Sequence, residues 1–276
     1  MPPVALTGTV EARTEWARRF VDASRGELLM RMYEPEGTGP RPLILFLHGG
    51  GETGSDNWSQ LVGTLGAPEL AARYPDSFVL APQAPAPLQP VMPRRLPFAE
   101  RVLDPDSGWS RGYLLEVCDL IRALVSGGVV DGSRIYLTGV SMGGAGVLRA
   151  LSVAPGLFAG AAPVCPTMTP ETFDILRSLR EEKLWISTAY VDHTPDRHKY
   201  IVDGVIHLLR EGADVQLSLF SPEQLASVGI PADESASTDD LLLENHSSWE
   251  LTYTNEDGIL DWLVSQRLSD RPPLSH

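Results

Sequence analysis

The chain has 276 residues, with 22 basic and 36 acidic side chains and a formal net charge of −14. That balance disfavours nucleic acid and anionic lipid as partners, and a hydrophobic content of 43% is ample for a sizeable core. No window reaches the unbroken apolar length of a membrane span. Residues 1–20 carry Glu11, Arg13, Glu15, Arg18 and Arg19 where a secretory signal would be apolar, so the expected location is cytoplasmic.

Taken in order, the pattern predicts two antiparallel strands over residues 6–14 and 27–33. From residue 42 onward it alternates strand and helix, the mark of a mainly parallel sheet covered on both faces. Strands are expected at 43–47, 78–80, 135–137, 158–164, 184–189 and 215–220. The first, Leu-Ile-Leu-Phe-Leu, is wholly apolar, as a strand buried on both faces must be. Helical patterns fall at 58–73, 113–124, 141–152, 171–179, 196–210 and 249–266. No repeat or linker divides the chain, so residues 1–276 read as a single α/β domain with a mostly parallel sheet of about eight strands. Two segments break the rhythm. Residues 81–107 are rich in proline, and residues 221–240 contain Pro222, Pro231 and an acidic run. Long irregular segments in a compact domain are often functional, so both are expected to act as lids. Cys118 and Cys165 read as free buried thiols rather than a disulfide framework.

Gly139-Val140-Ser141-Met142-Gly143 follows an apolar strand and opens a helix of small residues. A strand, sharp turn and helix of the form G-x-S-x-G is a nucleophile elbow, in which the serine is presented at the carboxyl edge of a sheet. A serine hydroxyl needs a base, and the base needs an orienting carboxylate. His246 lies in Asn245-His246-Ser247-Ser248-Trp249, just before the last helical pattern, and is the candidate base. Asp192, three residues past the strand at 184–189, is the candidate acid. Asp196 remains the alternative, although it also starts a helical pattern, where aspartate is favoured as a cap. His207, on the apolar face of a helix, reads as structural.

Attack on a carbonyl puts charge on its oxygen, which preorganised N–H groups must receive. His48-Gly49-Gly50-Gly51 follows the first buried strand and matches a glycine-rich oxyanion motif. The expected donors are the Gly50 and Met142 amides, with Gly49 or Gly51 as a substitute for the first. Trp109, Trp249, Phe98 and the proline-rich loop are candidate pocket walls. Glu52 is expected either to hold a loop through a salt bridge or to be solvated.

The run from Pro42 to Asn57, Pro-Leu-Ile-Leu-Phe-Leu-His-Gly-Gly-Gly-Glu-Thr-Gly-Ser-Asp-Asn, resembles the opening of a group of bacterial α/β-hydrolase esterases. These are related to prolyl-oligopeptidase-like hydrolases, feruloyl and acetyl esterases and polyhydroxybutyrate depolymerases. Residues 78–83, 131–144 and 158–165, His246 with Trp249, and residues 262–266 are similar as well. The resemblance covers roughly residues 27–268. It implies a Ser–His–Asp hydrolase of small ester or acyl substrates that uses neither metal nor organic cofactor. Two places depart from the pattern, and the acidic segment at 221–240 is longer than the resemblance leads one to expect. Thr53 stands where the family has arginine, and Thr188-Ala189 stand where the strand before the acid ends in His-Gly. The same machinery would also serve an acyltransferase, a cyclising tailoring enzyme or a peptidase. A catalytically silent binding protein built on the same fold is the remaining alternative.

Overall fold

The computed structural model describes residues 10–64, 66–87, 96–192, 194, 196–230, 246–255 and 257–270. Strands β1 (Val21–Asp22), β2 (Met30–Tyr33), β3 (Arg41–Leu47), β4 (Phe78–Pro82), β5 (Val130–Val140), β6 (Gly160–Val164), β7 (Leu184–Ala189) and β8 (Val215–Phe220) form one sheet in the order β1-β2-β4-β3-β5-β6-β7-β8. Pairing is parallel from β4 through β8, while β2 joins β4 antiparallel and β1 joins β2 antiparallel. The chain belongs structurally to the α/β class, as the alternating pattern predicts.

Period-two geometry explains why β3 is apolar throughout. Leu43, Leu45 and Leu47 project into a core on one face, and Ile44 and Phe46 project into a second core on the other. The first core is closed by α4 (Arg111–Ser126), α5 (Met142–Val153), α6 (Pro170–Ser178) and α7 (Arg197–Arg210), through residues such as Ile121, Leu148, Leu176 and Ile201. The second is closed by α1 (Val10–Ala17), α3 (Gly66–Arg73) and the last helix, through Ala17, Leu70 and Leu260.

Three expectations need correction. The strand expected at residues 6–14 is absent where described, because Val10–Ala17 is helical. Its Glu, Ala and Arg residues favour helix, and Ala17 buries against the second core. Residues 1–9 and the side chains of Val10 and Arg13 lie outside the description. The pattern at 58–73 forms two helices, α2 (Ser59–Val62) and α3. The pattern at 249–266 is likewise broken, into α9 (Trp249–Tyr253) and α10 (Ile259–Ser265). Asn255 at φ +63° and Gly258 at φ +80° take left-handed backbone there, and Asn255 Oδ1 accepts the Leu260 N–H at 2.8 Å. Left-handed residues of this kind end helices.

The segment at 221–240 is also less irregular than expected. Ser221 and Gln224 form a reciprocal capping box that starts α8 (Pro222–Ser227), with proline in the first turn. Residues 231–240 lie outside the described residues, as do residues 88–95 of the other long segment.

Candidate active site

The sheet order reverses between β3 and β5, so the loops that follow these neighbouring strands diverge and leave a crevice at their carboxyl ends. Leu47 and Gly139 are register partners, which brings the glycine-rich loop and the serine turn side by side. Ser141 sits at φ +56° and ψ −112° between β5 and α5. Non-glycine residues seldom adopt this conformation, and the surroundings impose it. The Ser141 N–H donates to the Val164 carbonyl at 2.9 Å, and its own carbonyl accepts from the Thr167 and Ala145 N–H groups.

The structure brings together the three residues that the sequence singled out. Ser141 Oγ lies 2.7 Å from His246 Nε2, and His246 Nδ1 lies 2.9 Å from Asp192 Oδ2. With neutral imidazole, the hydroxyl donates to Nε2 while Nδ1–H donates to the carboxylate. Asp192 follows β7, and its side chain is almost fully buried. Its other oxygen accepts the Thr194 N–H at 2.8 Å and pairs with Arg197 Nε at 3.2 Å. Asp196, the alternative acid, points elsewhere and pairs with Lys199. Nor does it cap α7 with its side chain; it precedes the helix in left-handed backbone. His207 is half-buried on α7 and takes no part in the Ser141–His246–Asp192 contacts.

His48 organises the glycine-rich loop. Its Nε2 accepts the Ala84 N–H at 2.9 Å, so the ring proton resides on Nδ1 and is donated to the Gly49 carbonyl at 2.7 Å. Full burial pushes the imidazole down to about 4, which keeps it neutral. The Gly49 carbonyl is drawn to the ring, so the Gly50 N–H on the opposite edge of that trans peptide faces away from it. Thr53, where arginine was expected, donates its hydroxyl to the Gly50 carbonyl at 3.1 Å. Met142 is the first residue of α5, where an N–H has no partner within the helix. Gly49, Gly50, Gly51 and Met142 all line the same cavity as Ser141 and His246.

That cavity measures about 690 Å³. Val102, Leu103, Trp109, Met142, Met168 and Trp249 supply apolar walls. Trp109 is buried and donates its indole N–H to the His48 carbonyl at 2.9 Å, so it braces the loop as well as lining the space. Trp249 meets the His246 ring edge-on at 5.3 Å. Phe98, expected at the wall, instead stacks on Tyr200 at 3.6 Å and packs against Phe173. Glu52 lines the cavity but is neither solvated nor salt-bridged to a cation. It is 7% exposed, and the side chain paired with it is the neutral His48 at 3.9 Å. Burial pushes its carboxyl up to about 7, against N–H donation from Gly49 and Glu52.

Two buried arginines that line the cavity escaped sequence reasoning. Arg149 donates to the Trp109 carbonyl and pairs with Glu171 at 2.5 Å. Arg197 opens α7 at a helix N-terminus, where a cation is disfavoured by the helix dipole, and that placement was the available signal. Cys118 and Cys165 are free and buried. Burial pushes both thiols up to about 12, so neither is a thiolate at neutral pH. Among the described residues, no group of three or more His, Cys, Asp or Glu side chains is placed to hold a metal ion, and no helix is long and apolar enough to cross a membrane.

A sheet of this order, a strained serine between strand and helix, and a histidine–carboxylate pair against the hydroxyl define the α/β-hydrolase class. The model of the alpha/beta hydrolase family matches residues 44–265, and the chain belongs to that family. Among solved structures, a thermostable esterase is similar at 26% identity and a TM-score of 0.70. The match covers 92% of this chain but only 64% of that one, so the chain spans less than two thirds of that esterase. An S-formylglutathione hydrolase from Agrobacterium tumefaciens (13% identity, TM-score 0.54, 90% and 94% of the two chains) shares the fold. So does a fluorophosphonate-binding serine hydrolase from Staphylococcus aureus (13% identity, TM-score 0.55, 89% and 97%). No curated protein matches the chain.

Proposed function

We propose that the protein is a serine hydrolase that cleaves carboxylic esters, with Ser141 as nucleophile, His246 as general base and Asp192 as its orienting acid. The observation that carries this reading is the unbroken line from Ser141 Oγ through His246 to Asp192, at 2.7 and 2.9 Å, beside an apolar cavity. In the proposed reaction His246 takes the serine proton as Oγ attacks the ester carbonyl. The tetrahedral oxyanion is received by the Gly50 and Met142 N–H groups, with Gly49 or Gly51 able to stand in for the first. Collapse expels the alcohol, protonated by His246. Water, activated by the same imidazole, then attacks the acyl-enzyme and releases the acid.

The apolar walls suit a neutral acyl or alkoxy group of modest size, with Trp109 and Trp249 as contact surfaces. Chain 1–276 acts as one catalytic domain in this reading, and the described part of the 81–107 segment, which contributes Val102 to Ser107 at the cavity, serves as a cover. Residues 221–240 are proposed as the second cover. Likeness to a named esterase over most of this chain favours hydrolysis over acyl transfer. The test is turnover of a short-chain nitrophenyl ester with rapid mixing. A burst of nitrophenol equal to the enzyme concentration, followed by slower steady release, supports an acyl-enzyme. Turnover with an added alcohol as acceptor separates the alternatives, because an acyltransferase would form the new ester in preference to the acid.

A further inference from the structure

Arg197 is the feature of the site that the proposed reaction leaves unexplained. Its side chain is 3% exposed and that of Asp192 1%. Removing two charges from water is costly unless geometry and hydrogen bonding compensate. Here both terminal nitrogens of the guanidinium are hydrogen-bonded, while Nε meets the carboxylate as an ion pair without hydrogen-bond geometry. Nε faces Asp192 Oδ1 at 3.2 Å, one terminal nitrogen donates to Thr194 Oγ1 at 2.9 Å, and the other donates to the Cys165 carbonyl. Cys165 directly follows Val164, whose carbonyl anchors the Ser141 N–H. Arg197 therefore spans the site from behind, joining the acid to the strand end that holds the nucleophile.

We propose that Arg197 is a positioning residue that acts through Asp192 and lowers the pH at which His246 becomes a competent base. The inference rests on the catalytic reading above. The Asp192 carboxylate favours the imidazolium form of His246, and a buried guanidinium on the opposite oxygen offsets part of that negative charge. Other groups around His246 do not substitute for it. Cys165 is a neutral thiol, Ser141 and Ser248 are uncharged, and Glu250, in the first turn of the helix that follows His246, is an anion and cannot supply positive charge. Across the cavity, Glu52 is largely neutral below pH 7, Asp104 is bonded to Ser107, and Arg149 is paired with Glu171.

The test is the pH dependence of inactivation by a fluorophosphonate, which reads the Ser141–His246 pair without needing the natural substrate. It uses the full chain with Arg197→Gln and Arg197→Lys, each checked for folding by circular dichroism. The wild-type acid limb is the reference against which both variants are read. Arg197→Gln is expected to move that limb up by about one pH unit. Arg197→Lys, which keeps the charge but loses the fork, should keep the wild-type limb while reacting several-fold more slowly. Coincident limbs for wild type and Arg197→Gln would overturn the proposal, as would equal shifts in both variants. Should Arg197→Gln not fold, Arg197→Met serves as the neutral variant: a limb raised by about one pH unit supports the proposal and a limb coincident with the wild type overturns it. A wild type that takes no label at all rejects the catalytic reading instead, so the two failures are distinguishable.

Discussion

Leu47 and Gly139 face each other across adjacent parallel strands, and that single register brings the two halves of the site together. The strand after Leu47 becomes the glycine-rich loop, and the strand after Gly139 becomes the serine turn. The approach is so close that a Cβ built on Gly143 would lie 2.0 Å from the Leu47 carbonyl oxygen and 2.5 Å from that of His48. Both obstacles are backbone, which cannot swing away.

Gly143→Ala is therefore expected to force β3 and the start of α5 apart. The variant should lose more than about 3 kcal/mol of stability, the range associated with severe overpacking. Under the proposed function, turnover of the nitrophenyl ester should fall at least a hundredfold. Thermal denaturation followed by circular dichroism, together with ester turnover, checks both effects; a near-wild-type melting temperature would contradict the close approach.

Glu52 makes a pH-dependent prediction. Its carboxyl is raised from an ordinary value of 4.5 to about 7, so between these values the folded protein holds a proton that the unfolded chain has released. Stability associated with this group is greatest below pH 4.5 and is lost as pH rises through about 7. The loss is on the order of 3 kcal/mol. Glu52→Gln removes the ionisation while keeping the shape that fills the space over Gly63, where a Cβ would lie 2.3 Å from the Glu52 stem. The melting temperature of Glu52→Gln relative to wild type should rise by about 5 °C between pH 5 and pH 8. An unchanged difference across that range would show that the carboxyl ionises freely in the fold.

Trp109→Phe separates the bracing of the loop from the lining of the cavity. The ring volume is largely retained, but the His48 carbonyl loses the indole N–H that it accepts at 2.9 Å. A buried acceptor left without its donor costs about 1–3 kcal/mol. Loosening this loop should lower kcat more than it raises KM, because the oxyanion donors matter most in the transition state. A change confined to KM would assign Trp109 to substrate contact alone.

Much of this architecture was legible in the residues. The apolar run Leu43 to Leu47 marked a strand buried on both faces, and the strands at 184–189 and 215–220 match Leu184–Ala189 and Val215–Phe220 residue for residue. Ser141, Asp192 and His246 carried local signals: an elbow, a position just past a strand, and a loop before the last helical pattern. What escaped depends on tertiary placement. Helical propensity at Val10–Ala17 was masked by weak alternation, and the break in the final helix depended on left-handed backbone at Asn255 and Gly258. The burial of Glu52 depends on the gap over Gly63, and that of Arg197 on the loop of Asp192 and Thr194 meeting the distant strand end at Cys165 around its guanidinium. Neither can be read from neighbours in sequence.

Intact mass after treatment with a fluorophosphonate, run beside Ser141→Ala and His246→Ala, tests the central claim most directly. The account predicts one adduct on the wild type, none on Ser141→Ala, and labelling slowed by at least about a thousandfold in His246→Ala. An adduct that persists in Ser141→Ala, or a wild type that remains unmodified, would contradict it.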